Sequence, residues 1–271
     1  MASLSTAQID QYHQQGYLIP PLRLAVERIN SLRDTLDQLI RDNPGIRPEK
    51  LVSAHAVGRN GGKNDEGVQG SKAFLDLAME PQILDLVEQL IGPDIILWGC
   101  HVFCKPAGDG HETPWHQDGH YWPMRPLATC TVWVALDEST VENGCLRVIP
   151  KSHAAKFTHP HLLEDRSDLV LNLRTSEDAF DERDAVDLQL QPGEMSMHDV
   201  FMIHGAAENR STQRRAGVAL RYMPGNSVFE RDINPVDGKS GVTTAFATRP
   251  LWLLRGEDKT GRNDFRVGHY V

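Results

Sequence analysis

The segment Pro114-Trp115-His116-Gln117-Asp118-Gly119-His120-Tyr121-Trp122 concentrates side chains able to bind a metal. In extended backbone His116 and Asp118 project from one face, because strand side chains alternate. A neutral imidazole and a carboxylate on one face supply two ligands for a divalent ion. A 2-His-1-carboxylate site needs a third ligand from elsewhere and leaves the opposite side of the ion open. His204, ending the apolar run Phe201-Met202-Ile203-His204, is the best candidate. Arg215 stands eleven residues later. The intervening Gly205 to Arg214 is polar and turn-like, and Ala216 to Met223 reads as a returning strand. A hairpin of this kind brings Arg215 beside the strand of His204, where a guanidinium can grip a carboxylate bidentately. Alternation points Arg214 to the other face.

The rest of the chain must position these groups. Ser5 and Gln8 have capping-box spacing before a Gly16 stop, which predicts a helix over 6–15. Val26, Ile29, Leu32, Leu36, Leu39 and Ile40 predict an amphipathic helix from about Arg23 to Asp42. Residues 58–70 hold five glycines and read as a mobile loop. Helical pattern resumes over about 71–91, punctuated by Pro81. From residue 94 the period shortens. Ile95–Cys104, Ala128–Leu136, Cys145–Ile149, Val186–Leu190, Met195–His198, Phe201–His204 and Ala216–Met223 read as strands between turn signals. Short strands after a helical start predict an α+β fold, with helices packed outside a double-sheet barrel.

Composition narrows the class. The chain has 271 residues, 40% apolar and 24% charged, enough for a sizeable core. No apolar run approaches the ~18 residues of a membrane helix, and no secretory signal is visible. Four cysteines are too few for a disulfide framework, so a cytoplasmic location is expected. A net charge of −9 argues against a nucleic-acid partner. The expected partner is a small-molecule substrate, with no membrane.

Three separated motifs, in order, resemble the phytanoyl-CoA dioxygenase family. They are Trp115-His116-Gln117-Asp118, then Asn143-Gly144-Cys145-Leu146-Arg147-Val148-Ile149-Pro150-Lys151-Ser152-His153, then His204-Gly205 through Asn209 and Ser211 to Arg215. The resemblance covers about residues 98–223, and Gln8–Tyr17 is similar to the family's opening helix. It implies a double-stranded β-helix (a cupin-like jelly-roll) and a hydroxylase using Fe(II), 2-oxoglutarate and dioxygen. Succinate and carbon dioxide leave as an unactivated C–H bond is hydroxylated. It further implies one oxygenase domain over 1–271: a helical part to about 92, a jelly-roll over about 93–224, and a C-terminal extension over about 225–271. Carried over by position, His116, Asp118 and His204 are catalytic iron ligands, and Arg215 holds the distal carboxylate of 2-oxoglutarate. Thr131, Trp133 and Gln117 join the cosubstrate-binding set. Ala206 departs from the pattern, since some members place a cosubstrate-contacting serine there. Halogenating relatives lack the carboxylate ligand, so Asp118 favours hydroxylation.

His120, Tyr121 and Trp122 follow the ligands and are expected to line the pocket mouth, packing an apolar group or holding a cationic head. Arg147, and more weakly Arg221, are candidates to meet an anionic substrate. The run from His116 through Pro123, with Arg125-Pro126-Leu127-Ala128-Thr129, is similar to the branch acting on small alkylphosphonates, such as 2-aminoethylphosphonate and its N-methylated forms. An amino acid, a secondary metabolite and an acyl-CoA are the alternative substrates. The triad alone also permits a cupin-like metal protein that is not an oxygenase; Arg215 discriminates against it. Cys100 and Cys104 read as buried thiols. His153 reads as a supporting residue, and His111, His159 and His161 as loop histidines. His198 and Asp199 point opposite ways and cannot readily serve one metal.

Overall fold

The computed structural model describes residues 2–233 and 244–269. Eight strands build the centre: β1 (Ile95–Lys105), β2 (Thr113–Gln117), β3 (Cys130–Ala135), β4 (Leu146–Val148), β5 (Val186–Leu188), β6 (Met195–Asp199), β7 (Ile203–Ala206) and β8 (Arg215–Pro224). They fall into two antiparallel sheets. The larger has the order β6-β3-β8-β1, extended by Tyr17–Leu18 beside β6 and by Trp252–Arg255 and Leu51–Val52 on β1. The smaller has the order β5-β4-β7-β2. The chain changes sheet at every connection but the one from β4 to β5, which makes the pair a jelly-roll. With helices outside it, the α+β expectation holds.

The sequence dictates the larger sheet through strict alternation. Cys100, Val102 and Cys104 of β1, Val132 and Val134 of β3, Met195 and Met197 of β6, and Ala216, Val218 and Leu220 of β8 join one apolar cluster with the helices. The alternate residues face the smaller sheet: Phe103, Thr131, Trp133, His198, Arg215, Ala219 and Arg221 line the space between the sheets. One face therefore makes core and the other makes the site.

Four helices cover the apolar face. α1 (Thr6–Gln15) begins with the expected capping box of Ser5 and Gln8 and stops at Gly16, whose φ of 85° is left-handed. α2 (Val26–Asp42) starts three residues later than expected, and the Leu24 N–H ahead of it bonds the Gly193 carbonyl at 2.9 Å. Its stripe of Ile29, Leu32, Leu36 and Leu39 is buried against the sheet, each side chain stabilising the fold by roughly 1.5–3 kcal/mol. α3 (Lys72–Ala78) and α4 (Pro81–Ile91) divide where Pro81 opens a new first turn. Among the described residues, no helix is long and apolar enough to cross a membrane.

The 58–70 loop departs from expectation: it is braced. The Asn64 amide donates to the Ser53 carbonyl at 3.0 Å, and its Oδ1 accepts from the Val68 N–H at 3.0 Å. These bonds substitute for the regular pairing that its glycines forgo.

Candidate active site

β2 and β7 are paired so that His116 and His204 stand directly opposite each other, with ring centroids 4.2 Å apart. Each ring is aimed by its own strand. His116 Nδ1 lies 2.8 Å from the Pro114 carbonyl, and His204 Nδ1 lies 3.0 Å from the Met202 carbonyl. A carbonyl can only accept, so each Nδ1 carries the proton and each Nε2 turns a lone pair inward. Asp118 completes the group, with Oδ1 3.7 Å from His116 Nε2 and Oδ2 3.9 Å from His204 Nε2. The three ligand atoms lie within 4.8 Å of one another, and all three residues are buried.

The sequence expectation placed His116 and Asp118 on one extended face. In the structure β2 ends at Gln117, and Asp118 opens a 3-10 turn (Asp118–His120) that swings its carboxylate back toward His116. The expected hairpin is also corrected. β7 belongs to the smaller sheet and β8 to the larger, so the connection is an arch and Arg215 faces β7 across the cavity. Its register partner is Lys105, on β1. Arg214 points outward, as alternation requires, to Asp137 and Asp37.

Electrostatics follow burial. Burial, and then the neighbouring His116, push the His204 imidazole well below its ordinary value, so it is neutral and available as a ligand. Burial raises the Asp118 carboxyl, but the His116 and His198 rings 3.7 Å away outweigh it and hold Asp118 well below the usual range. Arg215 is buried, lowered by desolvation to about 10, and still charged at neutral pH. Its Nε donates to the Gly144 carbonyl at 3.1 Å, and its Cζ sits 5.3 Å from the Trp133 ring centroid. Thr131 Oγ1 is buried near by without a hydrogen-bond partner among the described residues. Ala206 lines the same cavity.

The structure brings together His116, Asp118, His204, Arg215, Thr131 and Trp133 around one cavity. It does not bring Gln117 there. The Gln117 amide donates to the Phe157 and Phe201 carbonyls and accepts from the His159 N–H, which turns it away from the cavity. Arg147 is likewise elsewhere: it pairs with Asp187 and Glu182, across the β4–β5 ladder. Tyr121 and Trp122 line a second, adjoining cavity, whereas the His120 ring stacks on His161 at 4.0 Å and lines neither. His161 lies on a short strand (His161–Leu163), not in a loop. His153 bonds the His13 carbonyl and supports α1. Burial pushes Cys100 and Cys104 up to about 12, which makes them inert core thiols.

One residue that the sequence argument set aside does reach the site. His198 Nε2 is 3.7 Å from Asp118 Oδ2, and neither of its ring nitrogens has a hydrogen-bond partner among the described residues. The signal was present: Met195 and Met197 face the helices, so Ser196 and His198 must face inward.

Comparison with known proteins agrees with this geometry. The model of the phytanoyl-CoA dioxygenase family matches residues 12–217, and the chain belongs to that family. It is a 2-oxoglutarate-dependent dioxygenase, with Fe(II) as cofactor and 2-oxoglutarate and dioxygen as cosubstrates. The peroxisomal phytanoyl-CoA dioxygenase of Bos taurus is 30% identical over 281 residues, covering 93% of this chain and 82% of that one. A phytanoyl-CoA dioxygenase domain-containing protein 1 homolog of Dictyostelium discoideum is 28% identical over 59% of this chain; the match spans only 58% of that protein. A probable alpha-ketoglutarate-dependent hypophosphite dioxygenase of Stutzerimonas stutzeri is 27% identical over 55% of this chain and 52% of its own. Among solved structures, the non-heme monooxygenase ThoJ in its apo form superposes with a TM-score of 0.70 at 22% identity, covering 97% of this chain and 86% of that one. CytC3 with Fe(II) and alpha-ketoglutarate gives 0.63 at 21% identity, covering 99% and 97%. At these identities the structures establish the fold.

Proposed function

We propose that the chain hydroxylates a small alkylphosphonate, such as 2-aminoethylphosphonate or an N-methylated form, with His116, Asp118 and His204 holding the iron. One observation carries the site assignment: two imidazoles, each with Nδ1 fixed by its own backbone, turn Nε2 toward one buried carboxylate. That donor set suits Fe(II) and leaves positions for other ligands. When bound, the iron supplies dioxygen activation coupled to oxidative decarboxylation of the cosubstrate.

The chain's own residues do the rest. Arg215, in a site too dry for its charge to stand alone, pairs with the distal carboxylate of 2-oxoglutarate. Trp133 closes over that guanidinium and excludes water. Thr131 offers a buried hydroxyl to the same molecule, in place of the serine that Ala206 lacks. His198 is free to donate to the Asp118 oxygen that the metal does not take, fixing the carboxylate's orientation. The phosphonate substrate draws support from the hypophosphite relative, whose named substrate is also a phosphorus oxyanion. Buried arginine beside aromatic rings in the second cavity suits such an anion.

The test is an anaerobic titration of the Fe(II) protein with 2-oxoglutarate, followed by succinate assays across phosphonates, amino acids and acyl-CoA. A metal-to-ligand charge-transfer band, phosphonate-stimulated succinate and a product heavier by one oxygen are expected. No band, with cosubstrate binding indifferent to Arg215→Ala, would refute the site. Stimulation by another class alone would replace the substrate.

A further inference from the structure

The second cavity shares His116, Asp118, Phe103 and Arg221 with the first but does not include Arg215. It is walled by Tyr121, Trp122 and Phe246. Arg215 and Arg221 lie on the same face of β8, six residues apart, which in a strand is roughly 20 Å. With Arg215 at one end of the paired cavities, Arg221 is far along the strand from the cosubstrate's distal carboxylate.

Arg221 is unusual for a buried guanidinium. It is 8% exposed, makes no ion pair or hydrogen bond among the described residues, and its Nε is buried without a partner. Two rings hold it instead, with its Cζ 4.9 Å from the Trp122 centroid and 5.6 Å from that of Trp98. Gly99 is its register partner on β1, and both Arg221 and Arg249 pack over it. Arg249 differs in being paired. Its guanidinium bonds the Glu66 carboxylate, which also accepts from the Ala245 N–H. Of the other polar residues in this wall, His101 bonds the Glu49 carbonyl through Nε2 and stacks on Phe103. Asp118 is committed to the metal group. Of the two arginines in this wall, Arg221 is therefore the one with no ion pair or hydrogen bond among the described residues; Asp118 at the shared wall attracts it without bonding it, so its guanidinium donors are open to an anion.

We propose that the second cavity is the substrate chamber and that Arg221 anchors the anionic head of the substrate there. Tyr121, Trp122 and Phe246 pack its carbon chain while the metal group stands at the shared wall. This rests on the hydroxylase reading above and deepens it by naming the specificity-determining residue. Glu66 has a distinct part: by pairing with Arg249 it leaves Arg221 as the guanidinium of this wall free to take an anionic head.

The test is anaerobic calorimetry on the Fe(II)- and 2-oxoglutarate-loaded protein, with methylphosphonate, its uncharged dimethyl ester, and acetate as probes. Wild type should bind methylphosphonate at least tenfold more tightly than the ester. Arg221→Gln should weaken methylphosphonate roughly 10- to 100-fold, the loss expected for hydrogen bonds to a charged group. Arg221→Lys should recover part of it. The charge-transfer titration with 2-oxoglutarate alone should be unchanged in Arg221→Gln, which also verifies that the variant is folded. Equal binding of ester and acid, methylphosphonate binding indifferent to Arg221→Gln, a weakened 2-oxoglutarate titration in a folded Arg221→Gln, or no anion bound by wild type would each overturn the inference. Arg221-dependent binding of acetate without methylphosphonate would uphold the anchor and refute the phosphonate reading. A wild type with no charge-transfer band refutes the oxygenase site itself.

Discussion

At the residue scale, the site is a set of groups whose alternatives have been removed. His116 and His204 each spend Nδ1 on their own backbone, which leaves Nε2 as the only free nitrogen. Arg215 spends only Nε, on the Gly144 carbonyl. Replacing Arg215 by alanine should raise the KM for 2-oxoglutarate roughly 10- to 100-fold while leaving the dissociation constant for Fe(II) unchanged. Steady-state kinetics and metal titration check the two halves separately. His198→Ala predicts a different split: Fe(II) binding weakens roughly 10- to 100-fold, the usual effect of losing a group that orients a ligand. Equilibrium metal titration against wild type measures it. His116 and Asp118 can be paired from sequence because their spacing is local, whereas His204, distant in the chain, is chosen as the end of an apolar strand and through the family resemblance. Gln117 and Arg147 were misassigned because a side chain's direction depends on partners far away in the chain: Phe201 for one, Asp187 for the other.

At the element scale, the large sheet carries the argument. Its alternation is readable in the apolar residues of β1, β3, β6 and β8, which leaves Thr131, Trp133 and Arg215 to the inner face, although the first two are singled out only through the family resemblance. The Arg215 arch was read as a hairpin because turn chemistry announces a reversal without saying which sheet receives the returning strand. Gly217 shows how tightly that inner face is packed. A Cβ at Gly217 would lie 2.0 Å from the Trp133 ring, so Trp133 cannot keep its place over Arg215 if the glycine is replaced. Gly217→Ala should therefore weaken 2-oxoglutarate binding at least tenfold and destabilise the fold by roughly 1–3 kcal/mol. Charge-transfer titration and denaturant unfolding test this; an unchanged cosubstrate affinity would mean Trp133 has no part in the pocket.

At the scale of the whole molecule, buried histidines set a pH dependence of stability. Burial, then the nearby Arg249, push His55 down to about 3; burial, then His120, push His161 to about 3. Their unfolded values lie near 6.5. Between those limits the unfolded chain binds protons that the folded chain refuses, so stability is full above pH 6.5 and falls as pH drops toward 3. Each such histidine adds a slope of up to about 1.4 kcal/mol per pH unit. The melting temperature should therefore fall from pH 7.5 to 5, and less steeply in His55→Phe. Differential scanning calorimetry across that range decides it, and equal slopes would count against the assignment. The C-terminal segment was the least legible part. Phe246 and Arg249 reach the second cavity from a stretch with no periodicity to announce it, and Trp252–Arg255 adds to a sheet edge set by residues more than 140 positions earlier.

The alternation along β8 ties heredity of fold to heredity of chemistry. Insertion of one residue early in this strand would exchange its faces, bringing Ala219 toward the helices and Leu220 into the cavity. Such a change would spoil site and core together unless a bulge absorbed it, as one already does where Trp98 of β1 has no partner between Arg221 and Tyr222. Shifts of substrate range must be sought where chain length is free: in the braced 58–70 loop that carries Glu66, and in the segment that carries Arg249.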